Sequence, residues 1–399
     1  MKKEQNYTLS TKHFKLRMVA FILVLIVAVG AFGYGFSNMG KMEPGYYEIT
    51  ESADKEALLY GNGITLTYLF TGESDAIKEE KKRVEAAYSA ALNRAYKLLD
   101  ANNNYDGYQN IATLNENVGQ DVEVSGELYT ILKDAYGKTL EQQGYNMFAG
   151  AFYAHWNEIL ILEEPAEFDP LLQEEEARRL SALAERTDTQ DNFALTFSED
   201  GTNRVRLEVS QDYRDFCREN EEKEVYIDLN LLHDAYLMEI VVSALENAGY
   251  SDGFLTTDSG LTVSLSGLRG GEYSFYSMKE NAVSSMLTIA AEQGSVFSEF
   301  RNFAFSADED CFYTLAKDGE LYYRSPYVMA DEEGFHNIVL SSCVVGDEKK
   351  IPEAVYLNIQ IHSARSREQL EQLCAEQFND RYAYTLVGDP DCEIFTNIE

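Results

Sequence analysis

The chain opens on an uninterrupted apolar run. Met18 to Phe36 is 19 residues without a charge, and a helix needs about 20 apolar residues to cross the hydrocarbon layer of a membrane. Beyond it the pattern changes. Residues 37–57 are polar and acidic and predict a stalk. Ile64–Phe70 is rich in β-branched and aromatic residues and predicts a strand. Val84, Tyr88, Ala91, Leu92, Ala95, Leu98 and Leu99 recur at helical spacing and predict a helix over Lys78–Leu99, closed by the turn cluster Asp100–Asn104. A short helical turn follows at Asn110–Asn115. A helix over Leu128–Gln142 is opened by Ser125 as N-cap, and an acidic helix covers Pro170–Ala184. A further helix spans about His233 to Ala248, with Gly249 closing it.

The strand signals come mostly late. They fall at residues 193–197, 204–209 and 224–229, then at Phe254–Thr257, Leu261–Leu265, Tyr273–Met278 and Ser285–Ala290. Phe312–Leu315, Leu321–Tyr323 and Ile338–Val345 follow. Ala354–Ile361 is mixed, and Ser366–Phe378 reads as a final helix. Helices early and strands late, with no repeat and no linker, predict an α+β fold on a mainly antiparallel sheet flanked by helices.

Charge places the ends of the apolar run. Residues 1–40 hold five basic groups and one acid, so the rest of the chain is strongly acidic within a total of −35. A basic N-terminal flank keeps residues 1–17 cytoplasmic and sends the remainder outward. Two readings stand: an uncleaved anchor over 18–36, or a signal peptide cut near Ala31 or Gly35. The length of the run favours the anchor, hence a single-pass cell-membrane protein with an extracytoplasmic domain. An acidic surface repels phosphate backbones, so nucleic acid is excluded as a partner.

The five cysteines (Cys217, Cys311, Cys343, Cys374, Cys392) are odd in number and form no C-x-x-C, so no complete disulfide framework or zinc site is implied. The histidines make no helical ligand pair, and no serine-nucleophile elbow or phosphate-binding P-loop is present.

The order of smaller motifs is more informative. Gly63-Ile-Thr65 opens the first strand. Asn110-Ile-Ala-Thr-Leu-Asn115 and Val124-Ser125-Gly-Glu-Leu128 follow. Then come Gly144-Tyr-Asn146-Met-Phe-Ala-Gly150, with Trp156 six residues on, and Asp228-Leu229 before the helix containing Tyr236. This succession resembles the ApbE family, the FAD:protein FMN transferases, across about residues 60–375. In that family the corresponding segments read G-T, S-x-x-S-x-L-N, V-S-x-E-L, G-x-F-D/N-P-x-x-G with a later W, and D-L-G-G-I/A-A-K-G-Y. The resemblance implies a single ApbE-like, T-fold-related domain over 58–385, with a tail over 386–399. It implies FAD and Mg²⁺ as cofactors, transfer of FMN to a threonine of a partner protein, and a flavinylated redox protein as that partner. Carried over position by position, it makes Asp228, Tyr236, Asp258 and Ser306 cofactor-binding candidates and Glu353 the metal candidate.

The departures from the pattern bear on chemistry. Asn230 and Leu231 stand where the family has a glycine pair, and Asp234 stands where it has lysine. The late A-D-A-L-S-T metal segment reads Pro352-Glu353-Ala-Val-Tyr-Leu357, which replaces a threonine oxygen by a hydrocarbon. Asp228 is also placed to cap a turn, and Trp156 and Phe152 to pack in the core. Two functions remain open on the sequence: a transferase with an altered site, or a non-catalytic flavin-binding or protein-interaction module on the same fold.

Overall fold

The computed structural model describes residues 41–49, 63–188, 190–266, 272–279, 282–290, 296–305, 309, 311–330, 338–346, 350–377, 382–388 and 394–396. The apolar run 18–36 and Ser306 lie outside the described residues. Among the described residues no helix is long and apolar enough to cross a membrane. The chain divides into two compact units, residues 1–45 with 70–82, and residues 46–69 with 83–399. In the first unit the backbone N–H of Met42 donates to Ser74 Oγ at 3.0 Å. The candidate site lies in the second.

Strands β1 (Gly45–Ile49) and β2 (Thr65–Phe70) precede helices α1 (Ser74–Leu99) and α2 (Ile111–Glu116). Then come β3 (Asp121–Glu123), α3 (Gly126–Leu140), α4 (Gly150–Leu160) and α5 (Glu174–Asp188). The middle of the chain gives β4 (Phe193–Phe197), β5 (Arg204–Val209), α6 (Gln211–Glu219) and α7 (His233–Asn247). Seven strands follow: β6 (Gly253–Thr256), β7 (Leu261–Ser264), β8 (Glu272–Lys279), β9 (Ala282–Ala290), β10 (Val296–Arg301), β11 (Tyr313–Lys317) and β12 (Glu320–Arg324). The chain closes with β13 (Val339–Gly346), α8 (Ile351–Ser363), α9 (Arg367–Gln377), β14 (Tyr382–Gly388) and β15 (Ile394–Thr396).

Eight strands form one sheet in the order β1-β2-β6-β7-β10-β13-β14-β15, and three smaller sheets hold the rest. Every pair whose register is defined is antiparallel, which agrees with the α+β expectation. The centre of the sheet is buried on both faces: all six residues of β10 are buried, as is nearly all of β13. Helix α8 packs on it and is itself buried from Ile351 through His362, apart from Glu353.

Two ranges need correction. Residues 45–49 do not belong to a stalk, because they form the strand at one end of the sheet. Residues 386–388 and 394–396 are not tail, because β14 and β15 complete the other end. The strand expected at 224–229 is also absent; that stretch is irregular and leads into a single 3₁₀ turn, Asn230–Leu232.

Local chemistry explains several boundaries. Asn110 and Thr113 form a reciprocal capping box at α2, and Ser125 Oγ accepts from Leu128 N at the start of α3. Gly249, at a φ of 85°, ends α7, with Tyr250 N bonded to Leu245 O at 2.9 Å. Gly150 opens α4 against the backbone of Val225, where an added Cβ would meet Val225 O at 2.6 Å, so only glycine fits.

Candidate functional site

The segment from Val225 to Tyr236 positions the site. Asn115 of α2 holds its start: Asn115 Nδ2 donates to Ile227 O at 2.9 Å, and Ile227 N donates to Asn115 Oδ1 at 2.8 Å. Asp228 N donates to Met147 O at 2.9 Å, while the Asp228 carboxylate accepts from Asn230 N at 2.9 Å. Asp228 therefore caps the turn at Asn230 rather than helix α7 itself. Asn230 carries a φ of 47°, so this residue keeps the left-handed backbone at a position where the resembling family has glycine. Asparagine tolerates that conformation better than most side chains.

Acidic groups gather at the N-terminus of α7. Asp234 accepts the Ser259 hydroxyl and sits 3.3 Å from His233 Nδ1. Adjacent helix positions normally diverge by about 100°, so this contact was not expected from sequence; at the helix start the two side chains meet. Asp258 lies next to this pair. Burial first, then the charges of Asp234 and Glu309, raise its pKa above the ordinary carboxylate value. Burial likewise raises that of Asp228, with Asp100 adding to it. For His233, burial pulls the pKa down, but the bond to Asp234 and the charges of Asp234, Asp228 and Asp100 outweigh it and leave it raised. Gly260, at a φ of 84°, lets the 257–261 turn close against β10, where a Cβ would meet Glu299 O at 2.4 Å. Tyr327 Oη donates to Ser259 O at 2.7 Å and ties the turn to the segment after β12.

A second group lies across α3, α7 and α8. Tyr236 is buried, and its hydroxyl donates to Asp134 Oδ2 at 2.7 Å. Lys138, one turn beyond Asp134, donates to both Asp134 oxygens at 2.7 and 2.8 Å. Its ammonium is also 3.5 Å from Glu353 Oε2 and 5.5 Å from the centre of the Tyr356 ring. Burial, then Asp134, push the Glu239 carboxyl up to about 6. The Tyr145 hydroxyl is buried and finds no hydrogen-bond partner among the described residues.

The fold thus sets Asp228 near His233 and Asp258 near Asp234, and brings Tyr236 and Glu353 to the Asp134–Lys138 group, with Ser306 outside the described residues. Sequence reading missed Asp134, Lys138 and Ser259. Asp134 and Lys138 stand at i and i+4 on a helix, a pattern too common on solvated surfaces to single out. Trp156 is a core residue: it is fully buried in a cluster with Phe152, Leu160 and Leu183, and its indole N–H donates to Ser325 O at 3.0 Å.

Beside the start of this segment a cavity of about 600 Å³ opens between α2 and residues 223–226. Asn102, Asn115, Arg214, Lys223 and Tyr226 line it. Its volume lies within the common range for small-molecule sites, about 300–1,000 Å³. Arg214 Nε faces no acceptor among the described residues although it is buried. Glu116 and Glu224 line the same cavity, so its wall carries carboxylates beside Arg214 and Lys223. The pyrophosphate of a flavin dinucleotide does not fit the Asp234–Asp258 group, which offers anionic oxygens where phosphate needs cations.

With an antiparallel sheet packed by α8 and α7, the chain has an ApbE-type fold. Solved structures of that type match it. The ApbE protein of Thermotoga maritima superposes with a TM-score of 0.59 at 14% identity, covering 88% of this chain and 96% of that one. The apo form of the flavinyl transferase ApbE from Pseudomonas stutzeri gives 0.53 at 12% identity, covering 90% and 94%. No protein-family profile and no curated protein sequence matches the chain. The chain is thus a divergent ApbE-like protein in fold.

Proposed function

We propose that this chain is a membrane-anchored, extracytoplasmic protein of the FAD:protein FMN transferase type that binds a flavin nucleotide but transfers FMN slowly or not at all. The observation that carries the reading is the Asp234–Ser259 contact beside Asp258. It puts fixed negative charge where the resembling proteins have a lysine, on a fold otherwise preserved over most of their length. FAD would bring an anionic pyrophosphate to this cluster, and phosphoryl transfer depends on cations that offset such charge. On this reading the nucleotide occupies the cavity where Asn115, Arg214, Lys223 and Tyr226 supply polar contacts beside Glu116 and Glu224. The partner of this reading is a redox protein bearing, or receiving, a threonine-linked flavin, and the basic flank of the 18–36 run supports an outward-facing domain.

The test mixes the purified full-length chain with FAD, Mg²⁺ and a threonine-bearing acceptor peptide. FAD fluorescence reports binding, and fluorescence of the acceptor in a denaturing gel reports covalent transfer. Saturable binding with no covalent flavin supports the reading. Robust transfer shows a rebuilt transferase, and absence of binding leaves the protein-interaction module.

A further inference from the structure

We propose that the Lys138 ammonium stands in the place where this fold type, by the resemblance, holds a divalent cation, so that the site takes no metal. The inference rests on reading the N-terminus of α8 as the metal segment. There, Glu353 is the carboxylate carried over from the sequence pattern. In the structure its Oε2 faces Lys138 Nζ at 3.5 Å, and the same ammonium takes both oxygens of Asp134 at 2.7 and 2.8 Å. The Lys138 side chain is only 8% exposed, whereas Asp134 and Glu353 remain about half open. The cation is therefore the enclosed member of the group and the carboxylates close over it.

Three features hold it there. The Tyr236 hydroxyl fixes Asp134 from α7. The Tyr356 ring lies 5.5 Å from Nζ, and its own hydroxyl is held by Glu141 Oε2 at 2.8 Å. Asp134 and Lys138 are one helical turn apart on α3, the spacing at which helix side chains of opposite charge meet. A magnesium ion needs about six oxygens at roughly 2.0–2.1 Å. Here both Asp134 oxygens already accept from an ammonium, which offers only donors, and Glu353 pairs with the same charge. One turn along α8 from Glu353, the buried Leu357 offers no oxygen at all. The residues do not fit a divalent ion, and the charge it would supply is present as a side chain.

The experiment uses Mn²⁺ as probe and no flavin, so its outcome is independent of whether the chain binds FAD or transfers FMN. The full-length protein, freed of metal with EDTA, is titrated at physiological salt, and free Mn²⁺ is followed by electron paramagnetic resonance. Expected for the wild type is no binding that depends on Glu353. Lys138→Met should acquire a Mn²⁺ site, and adding Glu353→Ala should weaken that site by about tenfold or more. Lys138→Gln serves as a second variant, and circular dichroism confirms that each is folded. Wild-type Mn²⁺ binding abolished by Glu353→Ala overturns the proposal, as does failure of both folded Lys138 variants to bind.

Discussion

Asn115 satisfies both backbone groups of Ile227, 112 positions away, through one side-chain amide. All these groups are buried, and the pair fixes α2 to the segment that carries Asp228 and leads into α7. Asn115→Ala would leave a buried N–H and C=O without partners, each costing about 1–3 kcal/mol. The expected loss is about 2–4 kcal/mol, read as a lower urea midpoint at unchanged slope. Asn115→Asp, which keeps the acceptor and loses the donor, should fall between. A loss below about 0.5 kcal/mol in Asn115→Ala would mean that Ile227 is held by something else.

Glu299 carries a pH signature. It sits in the middle of β10, takes the Tyr273 hydroxyl on Oε2, and leaves Oε1 without a partner among the described residues. Burial pushes its pKa up to about 7, with the Tyr273 bond and Arg301 pulling the other way. The folded value is above the unfolded one, near 4.5, so its contribution to stability is full below that value and is lost as pH rises through about 7. Buried His362, held down to about 3, acts oppositely and destabilises as pH falls below about 6.5. The difference between wild type and Glu299→Gln isolates the glutamate. Across about pH 4.5 to 8 the variant should gain roughly 2–3 kcal/mol relative to wild type. Parallel stability–pH curves would show that Glu299 is already ionised in the folded protein.

Much of this architecture is written in local pattern, and the places where it is not have a common cause. α1 and α3 announce themselves because one face is buried and the other wet, so apolar residues recur at helical spacing, whereas α7 is largely buried and is marked by Gly249 at its end. α8 does not announce itself, because Asn358, Gln360 and His362 are buried along with Ile359 and Ile361, and no wet face remains to set a period. β10 fails for the same reason: all six residues are inside, so nothing alternates. α4 was hidden by Gly150, which reads as a turn residue and is there to let Val225 approach. In the candidate site, Asp228, Tyr236 and Asp258 are the positions that motif order singles out. The partners that decide their chemistry, Asp134, Lys138 and Ser259, lie on other elements and are joined only by the tertiary fold.

The topology is open to a direct check. The basic residues Lys2 to Arg17 before the 19-residue apolar run predict that residues 41–399 face away from the cytoplasm. Protease added to intact cells should digest a C-terminal epitope and spare one placed before Lys12. Complete protection of the C-terminal epitope until the membrane is permeabilised would reverse the orientation.

The last prediction concerns Asp234, whose carboxylate is bonded to Ser259, close to His233 and among the charges that raise the pKa of Asp258. Asp234→Asn keeps the shape and an oxygen acceptor for Ser259 while removing one negative charge from the Asp234–Asp258 cluster, which the proposed function sets near the pyrophosphate. Two effects oppose each other. Relief of repulsion toward a pyrophosphate favours binding, while His233, deprived of its anionic partner, gives up some of its positive charge. At an effective dielectric near 20 the first dominates for a charge within several ångströms, and about a tenfold gain in FAD affinity is expected. The gain should shrink in high salt, since the cluster is only partly buried and remains open to screening. FMN transfer should stay low, because Lys138 and Leu357 are untouched by the change. Fluorescence titrations of wild type and variant at two salt concentrations measure it. An unchanged affinity would place the nucleotide away from Asp234, and a gain that persists in high salt would mean that the substitution acts by reshaping the 257–261 turn rather than through charge.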